Sequence, residues 1–158
     1  MIVWIEKAVV LALHDRQVAE HGGSAGVRDE GLLESAIARA QQLHADGDPA
    51  PDLAGLAASL AYGLARNSPF VDGNKRTAHV AYRTFLELNG AELVATDEEK
   101  YMAMLALAEG KLPERDFAAW LRERLRFELP GEVHETRQPY RAKPRSARRT
   151  GTKPRSAR

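Results

Sequence analysis

The chain has 158 residues, of which 44% are hydrophobic and 6% aromatic, and its formal net charge is +1. This length suits one domain with a single core, and the composition is typical of an alanine- and leucine-rich helical protein. The absence of cysteine excludes a disulfide framework and a thiolate metal site. No apolar run approaches the ~18 residues of a membrane span, and no signal-type segment opens the chain. We therefore predict a soluble, cytoplasmic protein with no membrane partner.

Six helices are predicted. The first covers residues 6–21 and the second about residues 30–42, where Asp29 caps the start. A linker with two prolines separates this second helix from a third, which Asp52 caps and which ends near residue 66 because the following proline disfavours helix before it. The predicted inner face of the second helix comprises Leu33, Ile37 and Ala40.

The fourth helix is predicted over about residues 74–88, and its length and apolar content suggest a central position. A short extended connection at residues 92–95 leads to a fifth helix, which Thr96 or Asp97 caps and which ends near residue 108. Pro113 opens the sixth. The predicted apolar faces comprise Ala78, Ala81, Tyr82, Phe85 and Leu88 on the fourth helix and Phe117, Trp120, Leu121, Leu125 and Phe127 on the sixth. No stretch alternates with a period of two, so we predict an all-α bundle of about six helices.

The charges divide the chain into two parts. Residues 1–130 carry 14 Lys and Arg against 20 Asp and Glu, whereas residues 131–158 carry 9 against 2. We therefore expect a helical domain over residues 1–130 and a basic tail over residues 131–158, which has too few apolar residues to fold alone. Three interpretations of the tail remain open: nonspecific binding of nucleic acid, a solvated extension, or an appended sequence, since KPRSAR occurs twice.

The loop before the fourth helix carries the densest group of chemically capable residues. It reads N-S-P-F-V-D-G-N-K-R-T over residues 67–77 and leads into a helix N-terminus, whose free N–H groups and positive dipole end favour a phosphate. Asp72 supplies the oxygen ligands that Mg²⁺ prefers. A glycine permits close backbone approach, and an amide and two cations add donors and charge. These candidate phosphate-binding residues are Gly73, Asn74, Lys75 and Arg76. A plain polar turn is the alternative.

Residues 68–76, S-P-F-V-D-G-N-K-R, resemble the signature of the Fic/Doc family, H-P-F-x-D/E-G-N-(G or K)-R, with serine replacing the first histidine. The L-A-L-H-D run on the first helix, the glycine-rich loop at residues 22–26 and the Asn89-Gly90 pair after the motif helix resemble the Doc (death on curing) branch, over about residues 5–127. This resemblance implies a Fic/Doc-like helical bundle in which the motif loop leads into a central helix.

The resemblance also implies an activity. Fic enzymes transfer part of a nucleotide to a target hydroxyl, most often the AMP of ATP, and carry glycine at the position of Lys75 and a second arginine at that of His79. The lysine instead resembles the Doc branch, in which the terminal phosphoryl group of ATP passes to a threonine of elongation factor Tu and translation stops. By this resemblance Asp72 holds Mg²⁺, Asn74 and the adjoining backbone hold phosphate, and Lys75 and Arg76 neutralise charge in the transition state.

Ser68 is the departure with the largest consequence. The family's histidine at this position takes the proton from the target hydroxyl, and serine has no suitable pKa for that role. The ~10²–10⁴-fold contribution of a positioned base should therefore be lost while the phosphate site survives. We predict a chain that binds nucleotide and transfers phosphate poorly or not at all. The serine is either native, in a pseudoenzyme, or a replacement that lets a toxic protein be produced.

Three functions stay open on the sequence. The first is the toxin of a toxin–antitoxin pair, a Doc-type protein serine/threonine kinase with ATP as substrate, Mg²⁺ as cofactor and elongation factor Tu as target. Its restraint would come from a cognate antitoxin whose helical segment docks in a groove near the site, because no inhibitory [S/T]-x-x-x-E-[G/N] segment is present. The second is a Fic-type AMP transferase, and the third is a non-catalytic binding module.

Several neighbours of the motif are assigned structural roles. We expect Phe70 to anchor the loop in the core and His79 to be an ordinary residue of the fourth helix. His14 and Asp15 are expected to pack or to pair at the surface. Residues 22–26 would form either a mobile flap or an ordinary connection.

Overall fold

In the computed structural model, the described residues are 1–128, and Met1–Glu128 form one compact unit. The basic tail predicted at residues 131–158 lies outside the described residues. The elements in chain order are α1 (Lys7–His21), α2 (Glu30–Asp46), α3 (Leu53–Asn67), α4 (Asn74–Leu88), β1 (Ala91–Leu93), α5 (Asp97–Ala108), α6 (Glu114–Arg124) and β2 (Leu125–Phe127). The predicted all-α bundle of about six helices is confirmed.

Side-chain caps explain three of the six helix starts within residues 1–128. Asp29 and Asp52 cap α2 and α3 by accepting hydrogen bonds from the N–H groups of Leu32 and Gly55. Thr96 opens α5 with a capping box, in which its side chain and that of Glu99 each bond the other residue's backbone N–H. Only α2 runs clearly past its predicted end, to Asp46.

Helix α3 is the most deeply buried element, and α2, α4, α5 and α6 pack around it. Its small residues allow this close packing: a β-carbon at Gly63 would lie 3.2 Å from the Cα of Ala36 on α2. The buried residues of α3 are Ala54, Leu56, Ala57, Ala58, Ser59, Leu60, Ala61, Gly63, Leu64 and Ala65. The core therefore surrounds the helix that leads directly into the motif loop.

Helix α4 packs against α1, α3, α5 and β1 and follows its predicted bounds. Its buried residues include Ala78, Ala81, Tyr82 and Phe85, as predicted. The prediction for Leu88 was wrong, since 45% of this residue is exposed. Leu88 lies in the last turn, at the end of the helix, where the core no longer covers it.

A small antiparallel sheet was not predicted. β1 and β2 pair with Ala91 opposite Phe127 and Leu93 opposite Leu125. Leu125 and Phe127 therefore do not belong to the sixth helix, which ends at Arg124. Three-residue strands are too short to show a period of two, and their stability comes from pairing with a segment that is distant in sequence. Within residues 1–128, none of the helices has the length and apolar content needed to cross a bilayer.

Candidate active site

The motif loop begins where α3 ends. Ser68 follows the last helical residue, Asn67, and adopts the left-handed conformation, with φ 47° and ψ 58°. Its N–H donates to the Leu64 carbonyl at 3.3 Å, and its Oγ donates to the Ala65 carbonyl at 3.2 Å. The left-handed conformation costs roughly 1–2 kcal/mol for a residue with a β-carbon. Contacts around Ser68 must therefore offset this cost.

Phe70 anchors the middle of the loop, as predicted, and is almost fully buried. The ring of His14, on α1, stacks on it with centroids 3.8 Å apart and an interplanar angle of 7°. His14 Nε2 lies 2.8 Å from the carbonyl oxygen of Asp72. Because a carbonyl can only accept, Nε2 carries the proton. His14 is thus a buried support beneath the motif loop, while its neighbour Asp15 is exposed.

The Asn74 side chain binds the loop to the start of α4. Its Oδ1 accepts a hydrogen bond from the Phe70 N–H at 2.9 Å, and its Nδ2 donates to the Phe70 carbonyl at 3.0 Å. The amide therefore closes the loop on itself. What remains available to a ligand is the backbone N–H of Asn74, which stands at the first position of the helix.

Asp72 places its carboxylate at the exposed side of the loop. Its Oδ1 accepts from the Gly73 N–H at 2.9 Å and its Oδ2 from the Ser24 N–H at 3.2 Å. A carboxylate offers about four lone-pair sites, so capacity for a cation remains. Among residues 1–128, no three His, Asp or Glu side chains form a group able to hold a metal. A single carboxylate fits Mg²⁺, which commonly takes its other ligands from substrate phosphates and water.

The first turn of α4 is positively charged. It contains no acidic residue, and Lys75 and Arg76 are both exposed. Neither cation has an ion-pair partner in the described part of the chain. Cations at a helix N-terminus oppose the dipole and destabilise the helix. The turn therefore concentrates uncompensated positive potential beside free N–H groups, which is the electrostatics of an anion site.

A cavity of about 580 Å³ opens beside this turn. All six residues singled out from the sequence line it together: Ser68, Asp72, Gly73, Asn74, Lys75 and Arg76. The opposite wall comes from α5, through Tyr101, Met104, Leu105 and Ala108. Sequence reasoning missed this wall because α5 carries no motif and only helix packing brings it to the site.

His79 also lines the cavity, one helical turn beyond Arg76. The pKa of His79 is lowered to about 4, mainly by burial and then by the cations Arg83 and Lys100, whereas Asp97 acts in the opposite direction. Its Nδ1 is buried and has no hydrogen-bond partner within residues 1–128. The imidazole is therefore neutral near pH 7. It is too weak a base to take the proton from the target hydroxyl in place of the family's histidine at position 68.

The glycine-rich loop after α1 runs along the motif loop. Val27 and Phe70 form an antiparallel bridge, and the Val71 N–H donates to the Gly26 carbonyl at 3.1 Å. Arg28, at the end of this loop, bonds the carbonyls of Asn67 and Ser68. Sequence reasoning did not identify Arg28, and its only signal was a cation beside the capping Asp29.

Comparison with known proteins identifies the family. A family model described as Fic/DOC matches residues 4–86, which is more than half of the chain. The chain belongs to the Fic/DOC family. The matched region ends within α4, so it contains the motif loop and the helix N-terminus that face the cavity.

Two relatives within the Fic/DOC family are similar to this chain. Toxin Doc of Mycolicibacterium smegmatis is 51% identical over 74 residues, which are 47% of this chain and 57% of that protein. Protein kinase doc of Escherichia phage P1 is 35% identical over 89 residues, which are 56% of this chain and 70% of that protein. The chain thus spans little more than half the length of the mycobacterial relative. Both names support the Doc branch of the Fic/DOC family.

Proposed function

We propose that this chain is a Doc-type toxin that binds MgATP at the N-terminus of α4 and is built for transfer of the terminal phosphoryl group to a protein hydroxyl. The supporting observation is the first turn of α4, where Lys75 and Arg76 stand without an acidic partner in residues 1–128 at the mouth of the cavity. The two cations destabilise the helix N-terminus when the cavity is empty, and a bound anion removes this unfavourable interaction. The names of the relatives, a toxin and a protein kinase, favour this chemistry.

In this proposal the chain contributes position and charge rather than covalent chemistry. The N–H groups of the first α4 turn bind phosphate oxygens, and Lys75 and Arg76 neutralise the charge that spreads over the transferred group. Asp72 would hold Mg²⁺, which neutralises phosphate charge when bound. The apolar wall from α5 excludes water from one side of the cavity, which strengthens the electrostatic interactions inside it.

The step that this chain performs poorly is removal of the proton from the target hydroxyl. Ser68 Oγ donates its hydrogen bond to the Ala65 carbonyl, and His79 is held neutral with a low pKa. Neither of these two side chains can therefore replace the family's base. We infer that nucleotide binding is intact and that phosphoryl transfer is impaired.

The target and the partner follow from the same proposal. A threonine of elongation factor Tu is the proposed acceptor, and a cognate antitoxin is the proposed restraint. A helical segment of the antitoxin would cover the mouth of the cavity, where Val71 and Tyr101 are more than half exposed. Covering them would bury apolar surface and close the nucleotide site at the same time.

The test compares the chain with its Ser68→His variant. Both proteins should bind MgATP with similar affinity in calorimetry, whereas transfer of labelled phosphate to elongation factor Tu should rise by ~10²–10⁴-fold in the histidine form. A Lys75→Ala, Arg76→Ala double variant serves as the binding control and should release little heat. If neither the serine form nor the histidine form releases heat on titration with MgATP, the proposal is wrong.

Mass spectrometry of the target separates the alternatives. A gain of about 80 Da marks a phosphoryl group and a gain of about 329 Da marks AMP. The larger gain would favour a Fic-type AMP transferase, for which the lysine at position 75 is unfavourable by resemblance. No modification of any kind by the histidine form, together with intact nucleotide binding, would favour a non-catalytic binding module.

A further inference from the structure

Arg28 contacts the backbone of the motif loop at its first residues. Its Nε donates to the Ser68 carbonyl at 2.9 Å, and its Nη2 donates to the carbonyls of Ser68 at 2.6 Å and Asn67 at 2.9 Å. These carbonyls lie at the C-terminal end of α3, where carbonyl groups lack intrahelical partners and the helix dipole is negative. A guanidinium with several fixed donors matches this pair of acceptors.

The backbone of the same residue extends the contact. The N–H groups of Arg28 and Asp29 both donate to the Pro69 carbonyl, at 2.7 Å and 3.1 Å. The carbonyls of three consecutive residues, 67, 68 and 69, are therefore bonded from one short segment. Rotation of any of these peptide groups would break at least one hydrogen bond, so the backbone of position 68 has little freedom.

This restraint matters because Ser68 is left-handed, with φ 47°. Few residues with a β-carbon adopt that conformation without tertiary support. The conformation fixes the direction of the Cα–Cβ bond, and the residue at position 68 lines the cavity. An extended or right-handed backbone at position 68 would point the side chain in another direction.

We propose that Arg28 is a positioning residue: its hydrogen bonds hold position 68 in the left-handed conformation and so direct the side chain at that position into the nucleotide cavity. This inference rests on the proposed function, because position 68 is where the Fic/DOC base would act. Arg28 is not among the residues that line the cavity, and the hydrogen bonds of its side chain go to backbone carbonyls, so we expect its effect on chemistry to be transmitted through the backbone.

The kinetic test uses the Ser68→His form as the reference. Arg28→Ala in that background should lower kcat for phosphoryl transfer on the order of 10²-fold, because small displacements of a reacting group have effects of that size. The KM for MgATP should change by less than about twofold, since the α4 turn is untouched. Arg28→Lys should recover part of the loss, because an ammonium keeps the charge but lacks the planar fork.

Arg122→Ala is the matched control. Arg122 also uses Nε and Nη2 in a forked contact, with Asp52 at 2.6 Å and 2.9 Å, but this pair lies at the start of α3 rather than at its end. The control should keep kcat. An unchanged kcat in Arg28→Ala, or an equal loss in Arg122→Ala, would overturn the inference.

A second readout does not depend on activity. In the chain with its serine, the ¹³C shifts of residue 68 report whether its backbone is left-handed. That signature should weaken in Arg28→Ala, which loses the side-chain bonds but keeps the backbone bonds to Pro69, and should be unchanged in Arg122→Ala. If the Ser68→His form transfers no phosphate at all, the proposed function fails, and these shifts still decide the role of Arg28. A left-handed signature that is undiminished without the Arg28 side chain would reject it. If Arg28→Ala does not fold, Arg28→Lys is compared with Arg122→Ala instead, and a smaller weakening of the signature in the lysine form is the expected result.

Discussion

The carboxylate of Asp72 lies against Gly23, in the space that a side chain at residue 23 would fill. A β-carbon at residue 23 would lie 2.7 Å from Asp72 Oδ2, a distance that forces the carboxylate to move. The next N–H along the loop, from Ser24, donates to the same oxygen. The glycine therefore leaves the space that the carboxylate of Asp72, the proposed Mg²⁺ ligand, occupies.

Gly22 provides the control for a test of this contact. Both glycines have positive φ, 83° at Gly22 and 111° at Gly23, but a β-carbon at Gly22 would meet nothing within 4 Å. Alanine at either position carries a backbone cost, whereas only Gly23→Ala should displace the carboxylate of Asp72.

We therefore expect Gly23→Ala to weaken Mg²⁺-dependent ATP binding on the order of 10-fold, as is typical when a group that orients a metal ligand is changed. Gly22→Ala should bind normally, and ATP without Mg²⁺ should bind both variants alike. Calorimetric titrations with and without Mg²⁺ measure these differences. Equal weakening by both substitutions would assign the effect to the loop backbone instead.

At the scale of elements, α2 and α3 pack against each other at a close contact between Gly63 and Ala36. Gly63 faces the backbone of Ala36, and a β-carbon there would lie 3.2 Å from Cα and 3.3 Å from both Cβ and the carbonyl oxygen. Ala36 is fully buried, so admitting a β-carbon at Gly63 would require α2 or α3 to shift within the core by a few tenths of an ångström. The two helices can lie this close together because residue 63 has no β-carbon.

Gly63→Ala should destabilise the fold even though alanine is the better helix former. Overpacking in a core costs about 1–3 kcal/mol, against a gain in helix propensity of about 1 kcal/mol. Gly31→Ala is the matched control, since its β-carbon would meet only Asp29 Oδ1, at 3.4 Å, and it should be neutral or stabilising. Urea unfolding midpoints of the two variants measure the contrast, and a stabilised Gly63→Ala would refute the close contact.

At the scale of the whole molecule, the charge is separated along the chain. The excess of acidic residues in positions 1–130 and of basic residues in positions 131–158 nearly cancel in the net charge of +1. If the basic segment that follows the acidic domain in the sequence binds phosphate polymers, it does so through counterion release, which would make the binding strongly salt-dependent. This is the first of the three interpretations of the tail.

Deletion of residues 131–158 tests that interpretation. The thermal midpoint and the affinity for MgATP should stay as in the full chain, because the residues proposed to bind the nucleotide all lie between positions 68 and 76. Retention on DNA at low salt should disappear. Retention that survives the deletion would exclude the tail as the nucleic-acid-binding segment.

The sequence by itself determined the helices and the chemistry of the motif loop. Helix caps such as Asp29, Asp52 and Thr96 act within one turn of the chain, so their signals are local and the predicted starts agree with the structure. The six candidate residues lie within positions 68–76, and a loop this short keeps them close together in space whatever its conformation. This proximity is why a cavity lined by all six could be anticipated.

Only the tertiary structure decided which distant groups complete the site. Arg28 reaches Ser68 across 40 residues, Ser24 reaches Asp72 across 48, and α5 closes the cavity from a separate part of the chain. The same is true of β2, which depends on pairing with β1. Contacts of this kind leave no periodicity or cap in the sequence, because their free energy arises from packing between segments rather than within them.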